Sequence, residues 1–164
     1  MELIILRHGE AGKRAPVASN DAERSLTVAG KDEVKEVAES FEELGIDLDL
    51  IATSPLKRAL ETAQIAGKVL KREKVIETWD ELKPERDPKD LYRRLSKMKR
   101  DSSILLVGHE PYLSSMISEL IGAKRGSRIS LKKAGVAKVE IESLIPPSGE
   151  LRWLLTPRLL RKVS

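Results

Sequence analysis

Two aliphatic runs, Leu3-Ile4-Ile5-Leu6 and Ile104-Leu105-Leu106-Val107, each break off at a histidine beside a glycine, and the chain has no other histidine. The first run leads into Arg7-His8-Gly9-Glu10 and the second into Gly108-His109-Glu110-Pro111. Consecutive aliphatic residues without polar alternation are what a strand needs when both sheet faces are covered, which points to the interior of a largely parallel sheet. Open α/β sheets bind ligands outside the carboxyl ends of their strands. Two strand-end histidines are therefore expected to meet in one pocket. Either histidine alone would read equally well as an ordinary hydrogen-bonded residue, so the weight rests on the pair.

The rest of the chain alternates in the same manner. Apolar runs at 2–7, 49–53, 75–77, 103–108, 135–141 and 151–155 read as strands. Between them, Thr27 suits a helix N-cap, and Val34, Val37, Ala38, Phe41 and Leu44 follow at helical spacing until Gly45 stops the segment. Residues 56–72 carry Ala59, Ala63, Ala66 and Leu70 on one stripe, while 88–98 and 111–121 each open on a proline that fits a first helical turn. The expected fold is α/β, a three-layer sandwich with a mostly parallel central sheet and helices on both faces. The polar stretch Glu10 to Ser25, with Gly12, Pro16, Ser19 and Asn20, reads as the longest irregular segment, of a length often found in functional lids or binding loops. Pro146-Pro147-Ser148-Gly149 reads as a tight connection between the last two strands, and the basic end Arg158 to Lys162 as a solvated tail.

Composition narrows the function classes. A length of 164 residues with no cysteine fits one domain with one core, with no disulfide framework and no cysteine-based metal site. Strand-like sequence begins at Glu2, which leaves no room for a secretory signal, and no apolar run approaches membrane-spanning length, so a soluble cytoplasmic protein is expected, with no membrane partner. The net charge of +4 is mixed in sign, and two Trp, two Tyr and one Phe are too few for base-stacking platforms. No nucleic-acid partner is expected. A bound anion is.

The residues at the strand ends suit phosphoryl transfer, which needs an in-line nucleophile and positive charge around three equatorial oxygens. Neutral imidazole is a competent nucleophile that forms a labile phosphoramidate. His8 is the candidate nucleophile and Arg7 and Arg58 the candidate oxygen clamps, because a planar guanidinium matches a phosphate. Gly9 is expected to let the backbone approach the phosphoryl group, His109 to donate to it, and Arg24 to bind substrate unless it only pairs with Asp21 or Glu23. Ser54 reads as a helix cap. Glu10 and Glu110 each sit beside a histidine, but the surrounding arginines would repel a cation, so no metal and no other cofactor is expected.

These segments together resemble the histidine phosphatase superfamily, which includes phosphoglycerate mutase, and within it the small phosphohistidine phosphatases of the SixA type. The resemblance rests on Arg7 to Ala11, Asp-x-x-Arg-x-Leu-Thr-x-x-Gly from Asp21 to Gly30, and Ser-Pro-x-x-Arg-Ala-x-x-Thr from Ser54 to Thr62. It continues through Glu81-Leu82-Lys83-Pro84, Gly108 to Pro111 and Trp153-x-x-Thr-Pro. It implies a single histidine phosphatase domain over 1–164 with the phosphoglycerate mutase-like fold. The implied activity is a metal-independent phosphatase with a phosphohistidine intermediate, acting on a histidine-phosphorylated protein in a signalling phosphorelay, as a monomer. Larger members roof the site with insertions; no connector here is long enough for that, and an open pocket suits a protein-borne phosphate. The superfamily's mutases and many of its ester phosphatases place an acidic proton donor where Glu81 stands, whereas the SixA type is implied to manage without a strong acid there. Glu85-Arg86-Asp87 after Pro84 departs from the short turn expected at the substrate-facing rim. The alternatives are a small-molecule phosphomonoesterase with Glu81 as its acid, or a phosphate-binding module that has lost turnover.

Overall fold

The computed structural model describes residues 1–13, 21–123 and 129–162; Pro16, Ser19 and Asn20 of the expected long loop lie outside them. Six strands form one sheet: β1 (Glu2–Arg7), β2 (Leu50–Thr53), β3 (Ile76–Thr78), β4 (Ser103–Gly108), β5 (Val136–Leu144) and β6 (Pro147–Leu155). Their order is β3-β2-β4-β1-β5-β6. The first four are mutually parallel, and β5 and β6 close one side as an antiparallel hairpin. The mostly parallel sheet read from the aliphatic runs is therefore the one observed.

β1 and β4 each feed both cores. Leu3, Ile5, Ile104 and Leu106 face α3 (Pro88–Leu95) and α4 (Tyr112–Leu120), in a cluster with Leu91, Leu95, Leu113 and Met116. Ile4, Leu6, Leu105 and Val107 face α1 (Val28–Glu43) and α2 (Lys57–Val69), in a cluster with Val34, Phe41, Ala59 and Ala63. Burial of each such aliphatic side chain is worth about 1.5–3 kcal/mol, and this two-sided demand is why β1 and β4 lack polar alternation. Helix ends follow local chemistry. Thr27 Oγ1 accepts from Gly30 N at 2.9 Å to start α1, and Gly45, at φ +64°, ends it in a conformation that a side chain would strain. Asp87 caps α3 through Lys89 N, with Pro88 at the first helical position. Pro111 occupies the cap of α4 rather than its first turn.

Two expectations are corrected. The turn between the last strands is only Ile145-Pro146: Pro147 pairs with Leu144 and Ser148 with Ser143, so three of the four supposed turn residues are strand. Pro147 is tolerated because β6 is an edge, and Gly149 serves close packing, since a Cβ there would meet Glu140 O at 2.6 Å. Nor is the basic end a solvated tail. Pro157–Leu160 form a short helix, α5, that packs on α1, with Leu160 fully buried and Arg161 paired to Glu33 and Glu36. A basic stretch conceals one apolar residue that belongs to the core. Leu160→Ala should therefore lower unfolding free energy by about 2–4 kcal/mol, the range for a buried leucine, as read by urea denaturation; a loss under about 0.5 kcal/mol, typical of surface positions, would show that α5 is dispensable.

Candidate active site

The parallel register of β1 on β4 places Arg7 opposite Gly108, so His8 and His109 both stand one residue beyond paired strand ends. Their rings lie 5.1 Å apart, centroid to centroid, and both are buried. Thr53 of β2 pairs with Val107, which brings Ser54 to the same level. Three adjacent strand ends thus supply the floor of one site.

His8 is held in a defined tautomer. Its Nδ1 lies 2.7 Å from Gly9 O, and a carbonyl oxygen can only accept, so Nδ1 carries the proton. Nε2 is left with a lone pair, and Arg58 Nε donates to it at 3.3 Å. Burial, with the charges of Arg58, Arg7 and Arg24 adding to it, lowers the His8 pKa to about 4 against the opposing Gly9 hydrogen bond. Burial likewise lowers His109 to about 3, with His8 and the same three arginines adding to it. Both imidazoles are neutral at physiological pH.

Around them the arginines are organised by one carboxylate. Asp21 Oδ2 pairs with Arg58 Nη2 at 3.1 Å and Oδ1 with Arg24 Nε at 3.3 Å, while Asp21 O accepts from Arg58 Nη1 at 2.8 Å. Arg7 donates through Nη1 to Leu131 O at 2.9 Å, and its buried Nε has no partner among the described residues. Two guanidinium groups therefore share the Asp21 carboxylate while Arg7 bonds only a backbone carbonyl, so among the described residues the pocket keeps an excess of positive charge. Arg24 does pair with Asp21, but the pairing turns it into the site: its Nη1 bonds Gly12 O, and its charge bears on both histidines.

The remaining predicted residues divide. Gly9 is required by packing: a Cβ would lie 2.6 Å from Val34 Cγ2 and 2.9 Å from Gly30 O, and its N–H donates to Thr62 Oγ1 at 3.2 Å. Glu81 lies on a 3₁₀ turn, Asp80–Leu82, with both carboxylate oxygens 3.2 Å from Arg94 Nη1. None of its described hydrogen bonds or ion pairs reaches a histidine. Glu10 pairs with Lys133 and Glu110 accepts from Ser114 N, and among the described residues no three His, Asp or Glu side chains cluster as metal ligands.

Three participants escaped the sequence reading. Ser54 is no mere cap: it is fully buried, accepts from Leu56 N, and its Oγ lies 2.8 Å from His109 Nε2. Thr62 Oγ1 donates to Arg58 O and accepts from Gly9 N, tying the arginine's helix to the histidine loop. Asp21 bridges two cations. Thr62 stands at i+4 from Arg58, one turn along α2, and that spacing was the available signal for it; Ser54 precedes the helix, at the end of β2.

Comparison with known proteins agrees with this geometry. The model of the histidine phosphatase superfamily (branch 1) matches residues 3–89, the segment holding His8, Arg24, Arg58 and Glu81. The chain belongs to the histidine phosphatase superfamily. It is 30% identical to the phosphohistidine phosphatase SixA homolog of Haemophilus influenzae, over 85% of this chain and 87% of that one. It is 25% identical to the phosphohistidine phosphatase SixA of Escherichia coli, over 96% and 94%. The solved structure of the protein histidine phosphatase SixA complexed with tungstate superposes with a TM-score of 0.83 at 25% identity, covering 98% of this chain and 99% of that one. A phosphatase is the activity that family and relatives support. Among the described residues, no helix is long and apolar enough to cross a membrane.

The depressed imidazole pKa values of this histidine phosphatase can be measured. The unfolded chain binds these protons near pH 6.5, whereas the folded one refuses them until about 4 and 3. Between those limits the unfolded state holds more protons, so the two groups make stability fall as pH drops below 6.5. Imidazole carbon-bound proton resonances of the folded protein should stay at their neutral positions from pH 8 down to about 5; a midpoint near 6.5 for either ring would contradict the buried, arginine-flanked setting.

Proposed function

We propose that the chain is a metal-independent phosphatase that works through a phosphohistidine intermediate on His8 and acts on phosphohistidine carried by a protein in a signalling relay. The observation that carries this reading is the bare Nε2 of His8. Its ring partner Nδ1–H is locked on Gly9 O, and a cationic pocket surrounds it. In the first step the Nε2 lone pair forms a bond to phosphorus as the phosphorus–nitrogen bond of the substrate breaks, and the departing imidazole, already protonated on its other ring nitrogen, takes the electron pair of that bond and leaves neutral. Water then attacks the phosphoryl group on His8, releasing phosphate and restoring the imidazole. Arg7, Arg24 and Arg58 balance the charge on the equatorial oxygens, the part a metal would otherwise supply. Gly9 serves by packing and by orienting His8, and Arg24 by binding.

His109 completes the set. With Ser54 donating its hydroxyl proton to Nε2, the His109 proton lies on Nδ1, which is buried, has no hydrogen-bond partner among the described residues, and is available to a phosphoryl oxygen. The tungstate held by SixA is a tetrahedral oxyanion, in keeping with such a pocket. End-to-end similarity to SixA supports the protein-borne substrate. The alternative, a small-molecule phosphomonoesterase, needs a strong acid for an alkoxide leaving group. Glu81, engaged by Arg94, does not favour it.

One experiment tests chemistry and substrate together. Phosphohistidine protein, phosphoramidate and alkyl phosphates are compared without added metal, with acid-labile label trapped by rapid quench. Phosphohistidine and phosphoramidate should turn over, with label on a His8 peptide, and Glu81→Gln should stay within about tenfold of the parent. Label on His109, or fast alkyl-phosphate turnover that collapses in Glu81→Gln, would overturn the reading.

Ser54 is a positioning residue under this mechanism. Ser54→Ala should lower kcat for phosphoramidate about ten- to a hundredfold with KM little changed, Ser54→Thr should restore most of it, and Ser54→Ala should have no further effect in a His109→Ala background. An equal additional loss in that background would show that the hydroxyl acts elsewhere.

A further inference from the structure

Helix α3, which follows the 3₁₀ turn holding Glu81, carries a charge pattern the chemistry does not use. From Pro88 to Arg100 there are six basic residues and one acidic residue, an excess of five, in a chain whose net charge is only +4. This charge is gathered rather than scattered. An open groove of about 590 Å³ is lined by Glu81, Arg86, Asp90, Arg93, Arg94 and Lys97, of which the last four repeat at helical spacing along α3 and just beyond it. Both acids of the groove are engaged: Glu81 with Arg94 at 3.2 Å and Asp90 with Arg93 at 2.6 Å. Arg94 is fixed further by the ring of Trp79, 4.1 Å away, and by Glu77. Arg86 and Lys97 are exposed and have no ion-pair partner among the described residues. Two cations thus remain for something outside the protein.

The groove is joined to the segment after His109 through one hydrogen bond. Tyr112, three residues after His109, donates its hydroxyl to Glu81 O at 2.8 Å, and Glu81 lines the near end of the groove. The near end of the groove is thus one hydrogen bond from the helix that follows His109. The groove's own acids, Glu81 and Asp90, are poorly suited to a nucleic-acid backbone with its uninterrupted phosphates. Trp79 is buried, so the groove has no exposed ring for a base to stack on. Carboxylates spaced along a protein surface fit two cations set among neutralised pairs.

We infer that the groove on α3 is a docking surface for an acidic segment of the protein that carries the phosphoryl group, with Arg86 and Lys97 as its selective charges. This rests on the reading of the chain as a phosphohistidine phosphatase. Docking of this kind acts on encounter and alignment, so it enters kcat/KM and its salt dependence and leaves chemistry on a small substrate untouched.

The test uses two synthetic peptides of equal length, each with one phosphohistidine, flanked by glutamates in one and by glutamines in the other, beside phosphoramidate as the small substrate. The parent should favour the glutamate peptide in kcat/KM about tenfold at low salt, a preference that fades at high salt. Arg86→Glu combined with Lys97→Glu should abolish or invert that preference with phosphoramidate turnover within about twofold, and both sites are exposed, so the fold is kept. Equal preference in parent and variant would overturn the docking surface and leave the phosphatase reading standing. Failure of the parent to turn over either peptide would overturn the reading and the docking surface with it. Competition by an oligonucleotide exceeding that of a non-phosphorylated glutamate peptide of equal charge would overturn the acidic-protein assignment in favour of nucleic acid.

Discussion

Everything at the site depends on the parallel pairing of β1 with β4 in a register that sets Arg7 against Gly108. A slip of one residue would exchange the faces of β1 and send Ile4 and Leu6 away from the α1–α2 core. The register is therefore enforced by burial on both sides of the sheet, far more strongly than any contact between the two histidines could enforce it. His8 N–H also donates to Gly108 O at 3.0 Å, so the ladder continues one step past the strand end and carries the imidazole with it. The hydrophobic core is in this sense the positioning device of the site. A 5.1 Å separation of two buried rings follows from it without a direct bond between them.

Electrostatics then exploits that rigidity at some cost in stability. Two imidazoles are kept uncharged by burial and by three guanidinium groups whose repulsion is relieved by one carboxylate, that of Asp21. Replacing Asp21 by a neutral residue would leave Arg58 and Arg24 buried or half-buried without their bridge, the kind of loss that costs several kcal/mol in an interior site. Adding a second carboxylate would settle the arginines and remove their use. The arrangement sits between these extremes and leaves positive charge of the kind that suits an anionic guest.

The sequence displayed the fold through features that local physics controls. Two-sided burial made β1 and β4 legible, the Thr27 cap and Gly45 bounded α1, and the alanine stripe marked α2. His8, Arg7, Arg58 and His109 were legible because strand ends and a helix start fix where they stand. What stayed hidden was settled by tertiary partners. Pro147 and Gly149 look like turn residues until an edge strand and a tight approach to Glu140 claim them. Leu160 sits among basic residues that suggest solvent, yet α1 offers it a place in the core. Ser54 had an adequate local explanation as a cap, and only the level of β4 beside β2 shows that its hydroxyl meets His109. Gly9 was read for backbone approach to a phosphoryl group, and its close packing against Val34 and Gly30 is a further demand that only the tertiary fold shows.

Two atoms left without partners tie these threads together. Arg7 Nε and His109 Nδ1 are buried and unbonded among the described residues; the other buried side-chain atoms there without a hydrogen bond are Asp21 Oδ1 and Arg24 Nε, which form an ion pair, and Ser103 Oγ. Each orphaned donor costs about 1–3 kcal/mol of desolvation, so a fold selected for stability alone would have supplied acceptors for both. They lie instead beside the one tautomer of His8 that exposes a nucleophilic nitrogen, within the field of arginines that outnumber their counter-ion. Unsatisfied donors, excess positive charge and a bare lone pair are three deficits of one kind. A tetrahedral oxyanion, accepting through its oxygens and electrophilic at its centre, would fill all three at once. That coincidence argues for phosphoryl chemistry more strongly than any one of the residues that produce it.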